Sequence, residues 1–220
     1  MIIGISGHGA SGKTTFAQNL IKKLENKVNY WKTDPYIITG VRKYTTIDYT
    51  YCDKNYAYKM TACHPDAHNL LALDRDVKMI QNGLDFYTIG TDFSKSTLIS
   101  AKNKVNIVEG MSVAFLDSHL FDLTIYLYSD EETELQRRGI RDISERGRSL
   151  ENLNKSHKQR RIQYELFMHP QSELFDIIIK NTNERFSSKS GSPLQRTISG
   201  SCRPDGWYFT SWMECRKYDG

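Results

Sequence analysis

The chain has 220 residues, enough for one sizeable core with a lid and too few for two comfortable domains. Its net charge of +4 falls short of the clustered basic excess expected of a nucleic-acid binder, and a basic site for an anionic ligand accounts for it as easily. No run approaches the ~20 apolar residues of a membrane helix. The first residues read as a glycine-rich turn and not as a secretory signal. Cys52, Cys63, Cys202 and Cys215 lack close C-x-x-C pairing and read as reduced thiols of a cytoplasmic protein.

Met1 to Ser6 (MIIGIS) is a short apolar run expected to form a buried strand. Lys13 to Leu24 sets Phe16, Leu20, Ile21 and Leu24 at helical spacing. Val28 to Asp34 reads as a second strand, ended by Pro35, which cannot donate to a ladder. The tyrosine-rich stretch from Ile37 to Cys63 has no period and yields no assignment. Leu70, Leu73, Val77 and Ile80 share one face of a helix beginning near Pro65 and Asp66 and closed by Asn82-Gly83. Lys104 to Gly110 and Leu123 to Ser129 are two further strands. The charged stretch from Asp130 reads as a helix running into a mobile basic segment, followed by a helix from Ser149 to His169 ended by Pro170. Phe175 to Lys180 is a last strand. Strands alternating with helices predict an α/β fold, a mostly parallel sheet covered on both faces. From Asn181 onward the chain turns rich in Ser, Gly and Arg and loses periodicity, so we expect one domain over 1–181 and a loose C-terminal tail over 182–220.

Gly7-His8-Gly9-Ala10-Ser11-Gly12-Lys13-Thr14 satisfies G-x-x-x-x-G-K-[ST], with an expected strand before it and helix after it. Glycines let the backbone wrap a polyphosphate with its N–H groups inward, and the following helix adds its positive end. Lys13 can reach the β- and γ-phosphates, and the Thr14 hydroxyl can ligate Mg²⁺. Gly7, Gly9, Ala10, Ser11, Gly12, Lys13, Thr14 and Thr15 are therefore the expected nucleotide contacts of the loop. The competing reading is a plain strand-to-helix turn with an exposed lysine, which the complete motif in its full context disfavours. Such a loop indicates a nucleoside triphosphate but not its use. No N-K-x-D follows, which disfavours a guanine-specific GTPase.

Two acids end apolar strands. Asp34 in KTDPYI falls where the strand ends of a parallel sheet meet the ligand crevice, so it can orient a hydroxyl and take its proton; an ordinary turn aspartate before proline is the equal alternative. Glu109, after VNIV, suits a metal or its bound water, and a carboxylate so close to the sheet interior needs a partner. Arg137, Arg138, Arg141, Arg146 and Arg148 fall within twelve residues, with glycines at 139 and 147. An arginine-rich lid would screen developing phosphate charge and exclude water; a solvated helix with pairs such as Arg141 and Glu145 is the bland reading. His8 reads as a residue lining the loop. His64 and His68, with Cys52 and Cys63, lack zinc-module spacing.

This combination resembles the uridine kinase and phosphoribulokinase group of P-loop kinases, from Met1 to about Asn181. GISGHGASGKTT is similar to the family's opening loop, and KTDPYI to its segment with a catalytic aspartate and nearby tyrosine. HPDAHNLLALDRDVKMIQNG is similar to its His-Pro-Asp-Ala helix start, IVEG to the strand whose glutamate lies beside substrate and metal, and RRGIRDISERGRSLE to the uridine-cytidine kinase lid. The resemblance implies a P-loop three-layer fold with an arginine-rich lid over about 130–150. It also implies transfer of the γ-phosphoryl group of ATP, with Mg²⁺, to a hydroxyl of a uridine- or cytidine-like nucleoside or related small sugar-containing acceptor. It makes Asp34 the base, Lys13 the phosphate clamp, Thr14 and Glu109 the metal contacts, Arg137 a nucleotide contact, and Arg141 and Arg146 lid contacts to the reacting groups. Tyr36, Asp92 and Glu109 fall on the acceptor side. The family's Tyr-Asp-Phe stretch is represented by Thr91-Asp92-Phe93, without the histidine and arginine that follow it in relatives. An ATP-binding regulatory protein with a degenerate acceptor site is the alternative of another class. Partners are expected to be a small molecule and a homo-oligomer at most, with neither nucleic acid nor membrane.

Overall fold

The structure, a computed structural model, describes residues 1–25, 28–144 and 150–182, with the side chains of 141–155 outside that description. Five parallel strands form the central sheet: β1 (Ile2–Gly7), β2 (Val28–Lys32), β7 (Val105–Glu109), β8 (Leu123–Tyr128) and β9 (Ile177–Lys180), in the order β2-β7-β1-β8-β9. Side chains alternate across it, as the pleat requires. Ile3, Ile5, Ile107, Ile125 and Leu127 point to the face covered by α1 (Lys13–Lys23), where Ala17, Phe16, Leu20, Ile21 and Leu24 meet them. Ile2, Val108 and Tyr126 point to the opposite face, against Leu73, Val77 and Ile80 of α3 (Leu70–Gln81) and Tyr164, Met168 and Phe175. This is the expected three-layer α/β arrangement, and with β1 central the ends of β1, β2, β7 and β8 open on one crevice.

The irregular segment from Ile37 to Cys63 holds α2 (Thr39–Tyr44) and an antiparallel hairpin of β3 (Thr46–Tyr51) and β4 (Lys54–Lys59). The hairpin docks through hydroxyls: Tyr49 donates to Gln159 and Tyr51 to Glu165, both at 2.5 Å. A face that docks through tyrosine hydroxyls leaves no apolar alternation to read in the sequence. The Met60 N–H bonds the Thr45 carbonyl and the Thr61 N–H bonds the Gln163 side-chain oxygen at 2.8 Å, closing its base. A second, shorter pair, β5 (Phe86–Tyr87) with β6 (Leu98–Ile99), brackets the loop carrying Asp92.

Several boundaries differ from expectation. β2 stops at Lys32, and Asp34 opens a 3₁₀ turn, Asp34–Tyr36. The Pro65–Ala67 turn is separate from α3, whose N-cap is Asn69, its side chain accepting from the Ala72 N–H at 3.2 Å. His68 bridges to Ile37 and the Asn69 N–H bonds the Tyr36 carbonyl, so the backbone between turn and helix is committed elsewhere. α4 (Glu131–Ser144) and α5 (Leu150–Gln163) follow β8, and α5 continues as a π turn, Tyr164–Met168, before the 3₁₀ turn holding Pro170. Cys63 is a buried free thiol, pushed up to about 11 first by burial and then by Glu134. Cys52, at the hairpin turn, is disulfide-bonded, which corrects the expectation of four reduced thiols. Among the described residues no helix is long and apolar enough to cross a membrane. Tail residues 183–220 lie outside the described part.

Candidate active site

β1 runs buried to Gly7 and the chain then wraps back on itself, the Ser11 N–H bonding the His8 carbonyl at 3.3 Å. Gly12 caps α1 at φ +95°, a conformation that L side chains rarely adopt, and no side chain caps the helix. The first N–H groups of α1 are thus left to an incoming acceptor, with the helix's positive end behind them. The Ser11 hydroxyl is buried without a hydrogen-bond partner. Lys13 is buried and its Nζ donates to the His8 carbonyl at 2.9 Å. Burial pushes its ammonium pKa down, while Glu109 and Asp34 pull it back up.

Glu109, buried at the end of β7, answers the need for a partner twice. Its Oε2 accepts from the Thr14 hydroxyl at 3.2 Å and from the Tyr30 hydroxyl at 3.0 Å. Burial and Glu109 both raise the Tyr30 pKa, so that phenol stays a donor. Tyr30 escaped the sequence reading because it sits mid-strand; its register opposite Ile107, two residues before Glu109, is what brings it there. Asp34 is exposed, one residue after Thr33, whose N–H bonds the Glu109 carbonyl at 2.7 Å. Its charge acts on Lys13, Tyr30 and His68, raising the pKa of each.

Tyr36, expected on the acceptor side, lies in the 3₁₀ turn that follows β2. It is fully buried and donates to Asp76 of α3 at 2.5 Å, with Arg75 on the other carboxylate oxygen at 2.6 Å. Burial and that bond raise its pKa. Asp92 lies exposed in the β5–β6 loop. His68 is closed in, its ring bonded to the Ser112 hydroxyl and the Ala62 carbonyl, and burial pushes it down to about 4.

Cations from two directions meet the loop. Arg137 donates to the Ala10 carbonyl at 3.4 Å and Arg138 to the Gly9 carbonyl at 3.4 Å, so with Lys13 three consecutive loop carbonyls each receive a cation. Asn181, beyond β9, donates to the Ser11 carbonyl at 2.9 Å and accepts from Arg137. The Arg141 side chain and all of Arg146 and Arg148 lie outside the described residues, and so does the lid they would form. Below the arginines, Glu134 is buried among His8, Arg138 and Arg161. Burial works to raise its pKa, but those neighbours hold it well below the usual carboxylate range.

An uncapped helix N-terminus, an unpartnered buried hydroxyl, a buried lysine and a hydroxyl–carboxylate pair are what a magnesium-bound triphosphate needs. The Phosphoribulokinase / Uridine kinase family matches residues 2–187. The chain belongs to this family. It is similar to the uridine kinase of Lactobacillus helveticus (strain DPC 4571), 29% identical over 84% of this chain and 88% of that one. It is also similar to uridine-cytidine kinase B of Dictyostelium discoideum, 31% identical over 77% of this chain and 66% of that one. The fold matches phosphoribulokinase from Rhodobacter spheroides at a TM-score of 0.59 and 16% identity, over 81% of this chain and 69% of that structure. As a member of the phosphoribulokinase and uridine kinase family, the chain is a kinase that phosphorylates an alcohol group of a small acceptor.

Proposed function

We propose that the chain transfers the γ-phosphoryl group of ATP, with Mg²⁺, to a hydroxyl of a uridine- or cytidine-like nucleoside or a related sugar-bearing molecule. The hydrogen bond from Thr14 at the start of α1 to Glu109 at the end of β7, beside buried Lys13 and with exposed Asp34 in the turn after β2, carries this reading. The relatives named for uridine and cytidine support the nucleoside side of it.

In this reading the loop from Gly7 to Thr15 cradles the phosphates and Lys13 counters charge on the β- and γ-groups. Thr14 and Glu109 hold Mg²⁺. When bound there, the ion supplies charge neutralisation at the phosphoryl oxygens. Asp34 orients the acceptor hydroxyl and accepts its proton. The acceptor oxygen bonds to the γ-phosphorus as the bond to the bridging oxygen of ADP breaks. Charge developing on ADP is met by Lys13, Arg137, Arg141 and Arg146. Asp92 contacts the acceptor, whereas buried Tyr36 holds the Asp34 turn.

The test is ADP release measured against a panel of nucleosides and sugars. One acceptor stimulates release in the wild type, and Asp34→Asn abolishes the stimulation. ATP binding without stimulation by any acceptor would instead mark a regulatory nucleotide-binding protein.

A further inference from the structure

The loop is held from below by a carboxylate that no phosphate contact requires. Glu134 of α4 is buried, with its Oε1 accepting from Arg138 Nε at 2.7 Å and its Oε2 from Arg161 Nη1 at 3.3 Å. The same Oε2 lies 3.5 Å from His8 Nδ1. His8 Nε2 accepts from the Ser129 N–H at 2.9 Å, which places the ring proton on Nδ1, where it donates to the Gly9 carbonyl at 2.9 Å. Arg138 Nη2 donates to that same carbonyl at 3.4 Å. Both donors that fix the Gly9 carbonyl are therefore aligned by one carboxylate.

The consequence follows from peptide planarity. A trans peptide sets its C=O and the next N–H in opposite directions. Pinning the Gly9 carbonyl toward α4 turns the Ala10 N–H away from α4. Ala10 sits at φ +67°, a conformation that needs support from its surroundings. A Cβ on Gly9 would come within 2.4 Å of Arg138 Nη2, so a side chain there would displace that guanidinium from the loop.

We propose that Glu134 is a positioning residue, acting through His8 and Arg138 to set the Gly9–Ala10 peptide so that the Ala10 N–H is presented to the nucleotide's phosphates. This rests on the loop being the nucleotide cradle, but not on the identity of the acceptor. Arg161 completes the arrangement by balancing the second carboxylate oxygen and bonding the Ser129 carbonyl at 3.2 Å, beside the N–H that His8 uses.

The experiment is calorimetric titration of the full chain with Mg-ATP, alongside steady-state kinetics and thermal melting, for Glu134→Gln and Glu134→Asp. Glu134→Gln is expected to weaken Mg-ATP binding about tenfold, the equivalent of one charge-assisted hydrogen bond, and to raise KM for ATP alike while leaving KM for the acceptor unchanged. Glu134→Asp, which keeps the charge, recovers most of the loss. Unchanged nucleotide affinity with a lowered melting temperature would show a purely structural residue and overturn the inference. Should Glu134→Gln not fold, Arg138→Gln reads the same peptide from the loop side, and unchanged affinity there overturns it too. A wild type that binds Mg-ATP without acceptor-stimulated turnover defeats the kinase reading and leaves this one standing; a wild type that binds no Mg-ATP defeats both.

Discussion

The phosphate loop and the segment from Asp34 to Pro65 border one crevice, yet they are built on opposite principles. The loop is contiguous: Gly7 to Thr15 carries its own turn, helix start, lysine and hydroxyl, and distant groups only brace its carbonyls. The segment after Asp34 is assembled from distant pieces. Tyr36 reaches forty residues along to Asp76, and Tyr51 more than a hundred to Glu165. A contiguous site keeps its chemistry when the rest of the chain drifts.

Asp34→Asn separates the two sides most sharply. Turnover should fall by about 10²–10⁴-fold, the usual worth of a general base, with Mg-ATP affinity retained in titration. Loss of nucleotide binding instead would place Asp34 on the donor side. Gly12→Ala attacks the donor side alone. It forces an L side chain to φ +95° and into the Asn181 amide, 2.3 Å from the added carbon, so urea unfolding should show a loss of about 1–3 kcal/mol together with weaker nucleotide binding.

Acid should weaken the segment after Asp34 through His68. Its pKa is about 4 in the folded chain and 6.5 as a free side chain. Between those values the unfolded chain binds more protons, so stability falls as pH drops through that window, by up to about 3 kcal/mol from this residue. His8, His157 and His169 are lowered too and add in the same direction. Chemical unfolding at neutral pH and at pH near 4 measures the sum, and a flat profile would refute the burial of these rings. Tyr36→Phe should cost about 1–3 kcal/mol by leaving Asp76 short of a donor, while KM for the acceptor stays put; a raised KM would return Tyr36 to the acceptor. Asp92→Ala is the smallest change. Its exposure predicts stability within about 0.5 kcal/mol of wild type, so any effect must appear in acceptor KM.

The α/β class, the strands at both ends of the chain and the loop were legible because each depends on a local rule: apolar runs, helical spacing, glycine before lysine. Lys13 and Thr14 were named from the loop motif, and Glu109 and Asp34 from the ends of apolar runs; the structure joins Thr14 to Glu109 by a hydrogen bond and leaves Asp34 exposed in the turn after β2. The β3–β4 hairpin was hidden because its packing face bonds through hydroxyls. The two-residue strands β5 and β6 were too short to carry a period. The burial of Tyr36 beside an exposed Asp34 was not legible, because only the 3₁₀ turn sends the one into the core and leaves the other at the surface.

By itself the sequence determined a phosphate-binding loop and an acid beside it, because both follow from the conformational freedom of glycine and from where a strand must stop. Only the tertiary structure decided that Tyr30 supports Glu109, that Asn181 closes on the loop, and that Glu134, His8 and Arg161 brace it. Those partners lie from 79 to 170 residues apart along the chain in the farthest pairs, and no local rule links residues that only sheet register and helix packing bring together.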